Sequence, residues 1–217
     1  MRLAPKINRG IARMQTTLRG RVPLETVLDQ VQAVCNPWRA NVYLQPDSTI
    51  SAYASCSISG SYDSSKRRRP IDIMLHFNDS IEVYNFTPRR WRSFRFLLSS
   101  VLQHELIHRD QYTCRPAESK DSCLYYDVKA GEKSDKEYMD YLAELDEIDA
   151  YAHDIAMEIK EYYPTVDPYE VLATIDQRDA LWSWFHYRDT FKDSEDWSLV
   201  HNRLLKKTYL WLPHVTV

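Results

Sequence analysis

His104 and His108, with Glu105 beside the first, form a His-Glu-x-x-His run inside the segment 101–111 (Val-Leu-Gln-His-Glu-Leu-Ile-His-Arg-Asp-Gln). On a helix, residues four apart lie one above the other, so the two imidazoles share a face. Two neutral imidazoles hold one Zn²⁺, and the carboxylate between them is placed to take a proton from a water that the ion activates. Such a site draws a third protein ligand from elsewhere and keeps its fourth position open to water or substrate. The plainer account of the same residues is an amphipathic helix whose histidines edge a core.

The richest source of a third ligand is the run from Glu144 to His153, which carries Glu147, Asp149, Ala150, Tyr151 and Ala152. Acids on a helix ordinarily face water. Ala150 and Ala152 argue otherwise, because small residues let two helices approach and bring a carboxylate within reach of a neighbour's metal. Glu147 and Tyr151 share a face, whereas Glu147 and Asp149 stand about 200° apart and cannot both point inward. Glu147, Asp149 and Glu144 all remain open as the third ligand at this point. Attack on a carbonyl also needs a donor to the developing oxyanion, for which Tyr151, His153, His186 and Tyr187 are candidates. His186, beside Trp184 and Phe185, reads more readily as a packed core histidine. A di-iron carboxylate bundle would use Glu105 with His108 but needs a second Glu-x-x-His pair, and the chain has none.

Several elements must position these groups. Thr87-Pro88 is a helix start, with threonine as N-cap and proline in the first turn, for a helix over 88–111. Trp91, Phe94, Leu98, Val101 and Leu102 form its apolar stripe, and His104 and His108 continue the stripe's edge. Arg89, Arg90, Arg92 and Arg95 crowd the N-terminal end, where cations oppose the macrodipole by a few tenths of a kcal/mol each. They are expected to meet carboxylates or an anion.

Upstream, Val27, Leu28, Val31 and Val34 predict a helix over 23–35. The period then changes: Val42, Leu44, Ile50, Ala52, Ala54 and the run Ser57–Tyr62 read as short strands, and Ile71–Phe77 is the clearest strand. Lys66–Arg69 is a basic loop tip, expected to be solvated. Downstream, residues 114–133 read as a polar loop. Ser134-Asp-Lys-Glu137 is a capping box opening one long or two abutting helices that end before Pro164. Three further helices follow, over 169–175, 180–191 and 197–212.

At 217 residues, 44% hydrophobic and 27% charged, the chain is long enough for one domain with a real core and reads as globular. A net charge of −3 does not announce a nucleic-acid protein. Residues 1–24 are locally basic through Arg2, Lys6, Arg9, Arg13, Arg19 and Arg21, with no acid before Glu25. An arm bound to the body's acidic excess is favoured over contact with phosphates. No apolar run suits a signal peptide or a membrane span. Cys35, Cys56, Cys114 and Cys123 form no Cys-x-x-Cys pair, so free thiols are expected, although Cys114 and Cys123 could close the loop between them.

His104-Glu-Leu-Ile-His108 followed by Glu147-Ile-Asp-Ala150-Tyr151 resembles a gluzincin-type zinc metallopeptidase, and most of all the small metallopeptidases encoded by tailed bacteriophages. Tyr141-Leu142, His153 and the C-terminal run Arg203–Lys207 share in that resemblance. It implies Zn²⁺ held by His104, His108 and Glu147, catalysis by Glu105, and a protein or peptide substrate. Tyr151 is taken as a catalytic residue beside Glu105, with the oxyanion donor still open among the four candidates. Tyr151 stands where that clan usually has an aspartate bracing a ligand histidine, so that support must come from elsewhere. The strand Ile71–Phe77 resembles the clan's substrate-pairing edge strand.

The implied fold is α+β and zincin-like: a small N-terminal antiparallel sheet packed on an active-site helix and a second ligand helix, with a helical C-terminal extension. The implied divisions are a basic arm over 1–22, a peptidase domain over 23–163 and a helical subdomain over 164–217. The implied setting is the cytoplasm of an infected bacterial host or the virion, with no membrane. The competing expectation is a phage structural or nucleic-acid-associated protein that keeps the zinc as a brace or a vestige.

Overall fold

A computed structural model describes residues 4–51, 56–66, 68–115 and 135–216. Most of the expected loop over 114–133, Ser134 of the capping box, Ala52, Ala54, Arg67 and Cys123 with its possible bond to Cys114 lie outside the described residues. The chain divides into two compact units, Met1–Arg109 and Asp110–Thr216.

The first unit begins with helix α1, Ala4–Met14. Ile7, Ile11, Met14 and Leu18 are almost wholly buried, while Lys6, Arg9 and Arg13 are exposed. The stretch read as a basic arm is thus in large part an amphipathic helix whose charges are its wet face. Ser99 Oγ donates to Asn8 Oδ1 at 2.8 Å and ties α1 to the histidine-bearing helix. Next come β1 (Gly20–Pro23), α2 (Leu24–Cys35), β2 (Ala40–Pro46), β3 (Ser57–Tyr62), β4 (Ile71–Phe77) and β5 (Val83–Phe86).

β1 and β5 pair antiparallel as a ribbon, Gly20 opposite Phe86. The other three form a sheet in the order β2-β4-β3. β2 runs parallel to β4 and β3 antiparallel to it, so the sheet is mixed, where an antiparallel one was expected. It also corrects the reading of Ile71–Phe77 as an edge: β4 is the central strand, and β2 and β3 flank it among the described residues. Its alternation of buried Ile71, Ile73, Leu75 and Phe77 with half-buried Asp72, Met74 and His76 explains why it was the clearest strand in the sequence.

Helix α3, Pro88–Cys114, closes the unit and runs unbroken past Arg109. Its N-cap is as expected: Arg90 N donates to Thr87 Oγ1 at 3.3 Å. Trp91, Phe94, Leu98 and Leu102 are buried, Val101 partly so, with Phe86 edge-on to Phe94 at 5.2 Å. Of the arginines at this end, Arg90 donates to Asn85 O and lies 5.4 Å from the Tyr84 ring centre. At the basic tip, Lys66 pairs with Asp72 at 2.5 Å and Arg69 donates to Asn36 and Asn41. These cations are engaged by the protein itself.

The second unit is helical: α4 (Asp135–Leu142), α5 (Leu145–Tyr162), α6 (Pro168–Ala173), α7 (Trp182–Phe191) and α8 (Trp197–Trp211). Of the two expectations, one long helix or two abutting ones, the second holds: α4 and α5 are parted at Ala143 and Glu144. α5 is the centre of this unit, with Ile148, Ala150, Ala152, Ile155, Ala156 and Ile159 all buried. Trp184, Tyr187, Phe191 and Leu204 supply the facing apolar surface and stand in the same compact unit. The fold is therefore α+β. Among the described residues no helix is long and apolar enough to cross a membrane.

Glu158 shows how tightly α5 is held. Its buried carboxyl accepts Ser183 N at 3.1 Å and Ser183 Oγ at 2.8 Å, capping the start of α7. Burial pushes its pKa up from 4.5 to about 8, helped by Asp154 one turn earlier and opposed by the Ser183 bonds. The folded state keeps this proton to higher pH than the unfolded chain does. The stabilisation is therefore fully present below about 4.5 and is lost as pH rises through about 8. The expected result is a Tm that falls by several degrees over that range, with the fall largely absent in Glu158→Gln. Parallel Tm–pH curves for the two proteins would contradict it.

Candidate metal centre

α3 carries His104 and His108 one turn apart, both half-buried, with Glu105 buried between them. The rings meet at 71°, and their Nε2 atoms stand 3.1 Å apart. Two nitrogens on one tetrahedral zinc at bonds of about 2.0–2.1 Å lie roughly 3.3 Å from each other, so the pair is close to that bite. A direct bond from one Nε2–H to the other Nε2 fits the same distance. A third residue lies beside the pair. His104, His108 and Glu147 each offer one ligand atom, and all three atoms lie within 4.8 Å of one another. Two imidazoles and a carboxylate are the donor set of a zinc site that keeps a position open for chemistry. The residues present fit a metal ion.

Glu147 stands in the first turn of α5 and is 6% exposed. Among the described residues neither Asp149 nor Glu144 joins the group. Asp149 points to the opposite side of α5 and has other work. Its Oδ1 lies 2.9 Å from Lys207 Nζ and accepts from Trp211 Nε1 at 3.3 Å, while Oδ2 accepts from Gln111 Nε2 at 3.4 Å. It pins α8 and the last turn of α3 to α5, which the sequence reading did not foresee. Glu144 precedes α5 in extended conformation.

Glu105 is 5% exposed and packs against strand β3. An added Cβ on Gly60 would stand 2.7 Å from Glu105 Cγ and 2.8 Å from Oε1. Sequence reasoning passed over Gly60, although a glycine inside a strand in a chain with only four of them was a signal of close backbone approach.

The four oxyanion candidates have different fates. His153, on the far side of α5, packs edge-on to Trp211 at 5.1 Å and contacts Asp154. Tyr187 is fully buried and donates its hydroxyl to Leu142 O at 2.9 Å, and burial holds its phenol protonated. His186 bonds the Tyr138 hydroxyl through Nε2 at 2.8 Å and stacks on Trp182, and burial lowers its pKa. It is half-buried and held by side-chain partners, at the edge of the core and not within it. Tyr151 is one turn beyond Glu147 on the same face of α5, stacked on His186 at 5.7 Å. With this geometry in place, comparison adds no lineage: no family model, curated protein or solved structure matches the chain.

Proposed function

We propose that the chain is a zinc-dependent metallopeptidase, and that its fold is a variant of the zincin arrangement. The observation that carries this reading is the convergence of His104, His108 and Glu147 within 4.8 Å, and it is supported by the buried Glu105, which follows His104 in the His-Glu-x-x-His run. When bound, a zinc ion supplies Lewis acidity and brings the pKa of water toward neutrality. The chain's own residues do the rest. Glu105 accepts the proton of the attacking water as its oxygen bonds to the peptide carbon, and returns that proton to the amine as the C–N bond breaks. Tyr151 donates a hydrogen bond to the carbonyl oxygen as charge builds there. One water is consumed, giving one carboxylate and one amine.

The test is zinc content measured beside hydrolysis of an unfolded protein substrate. The expected result is one zinc per chain, cleavage lost on chelation and recovered on adding zinc, and less than a tenth of the metal retained by His108→Ala. A purified chain that takes up no zinc and cleaves nothing would sink the proposal. The exposed Lys6, Arg9 and Arg13 on α1 favour a second reading, a nucleic-acid-associated or virion protein with zinc as a brace. That reading requires nucleic-acid binding that weakens steeply with salt, and zinc without hydrolysis.

A further inference from the structure

We propose that Gly60 is a positioning residue for Glu105, the absence of a side chain on β3 being what lets the Glu105 carboxylate lie where it does. The proposal rests on Glu105 acting in the hydrolysis above, although the contact itself can be tested without activity. Glycine inside a strand weakens it, having no side chain to pack and more backbone entropy to lose. Among the described glycines only Gly20 has a positive φ, so the backbone at Gly60 does not demand this residue. Space does. A Cβ there would stand 2.7 Å from Glu105 Cγ, 2.8 Å from Glu105 Oε1 and 2.8 Å from Val101 Cγ1. Ordinary carbon contacts lie at about 3.5–4.0 Å, so one of these groups must move by roughly an ångström.

Gly60 is held in register opposite Ile73 of the central strand, between the paired Ser59 and Ser61. Ile58, two residues away on the same face, is buried. The strand is therefore less able to retreat than the carboxylate is to swing. A shift of about 1 Å in a group that handles a proton in flight costs about a hundredfold in rate.

Gly60→Ala is expected to keep wild-type zinc content, to lower kcat about 100-fold and to leave KM within about threefold. Placed on top of Glu105→Gln it should lower kcat by less than about twofold more, because the group through which it acts is already silent. An undiminished loss in that background would overturn the proposal. So would recovery of kcat by Val101→Ala in the Gly60→Ala protein, since Gly60 would then only pack helix against sheet.

Thermal unfolding is the arm that needs no activity. Gly60→Ala should lower Tm by about 5 °C. Glu105→Ala, which deletes both contacting atoms, should return at least half of that loss beyond its effect on the wild type. If the wild type cleaves nothing, the peptidase reading fails while this cycle still decides the contact. If Glu105→Ala returns none of the Tm, the proposal fails whatever the activity.

Discussion

Glu105→Gln is expected to lower kcat for peptide hydrolysis by a factor of about 1,000 or more while zinc stays bound at wild-type stoichiometry. Transfer of one proton by a positioned side chain contributes about 10²–10⁴ in rate, and Glu105 is assigned both the uptake and the return of that proton. The amide matches the carboxylate in size, so it fits the narrow space beside Gly60 and Val101. It is a poor base at any working pH, and it is not among the three residues that converge as ligands. KM should therefore change little, a fall in kcat and kcat/KM together marking a group used in the transition state. Steady-state kinetics with metal analysis on the same preparation checks this. Full cleavage by the amide variant would remove Glu105 from the mechanism, and loss of zinc would show that it helps hold the ion.

What could be read from the sequence was whatever periodicity and end signals encode. The stripe Trp91–Leu102 and the cap at Thr87 fix α3, and the i, i+4 spacing brings the two Nε2 atoms to 3.1 Å. Angular position on α5 already separated Glu147 from Asp149, but only the partners Lys207, Trp211 and Gln111 show why Asp149 must face away. Those partners come from distant parts of the chain, and no local pattern announces them.

Other failures have similar causes. α1 was hidden because the six cations of residues 1–24 dominate a view by charge, although Ile7, Ile11, Met14 and Leu18 keep helical spacing. β1 and β5 are four residues each, too short for an alternation to register. The central place of β4 is a matter of pairing. Its strong alternation says that one face is buried, and is silent on how many neighbours it has. The mixed direction of the sheet is equally a property of the route between strands.

Glu147→Gln and Asp149→Ala should separate metal binding from stability. Glu147→Gln keeps the volume and burial of the side chain but replaces an anionic oxygen donor by an amide that zinc binds poorly. Removing groups that merely support ligands costs 10–100-fold in metal affinity, so weakening a ligand itself should cost at least about 100-fold. Hydrolysis at limiting zinc should fall with it and recover in part at high zinc. Asp149→Ala should behave in the opposite way. Zinc content stays at the wild-type level, while loss of the acceptor shared by Lys207, Trp211 and Gln111 costs about 1–3 kcal/mol of stability. Competitive titration against a chelator and thermal melts on both variants read the two effects independently. Equal zinc affinity in Glu147→Gln and wild type would mean that the buried carboxylate is not the third ligand. The close pair of imidazoles would then be explained by the hydrogen bond between them, and the case for an open zinc position would lose its geometric basis.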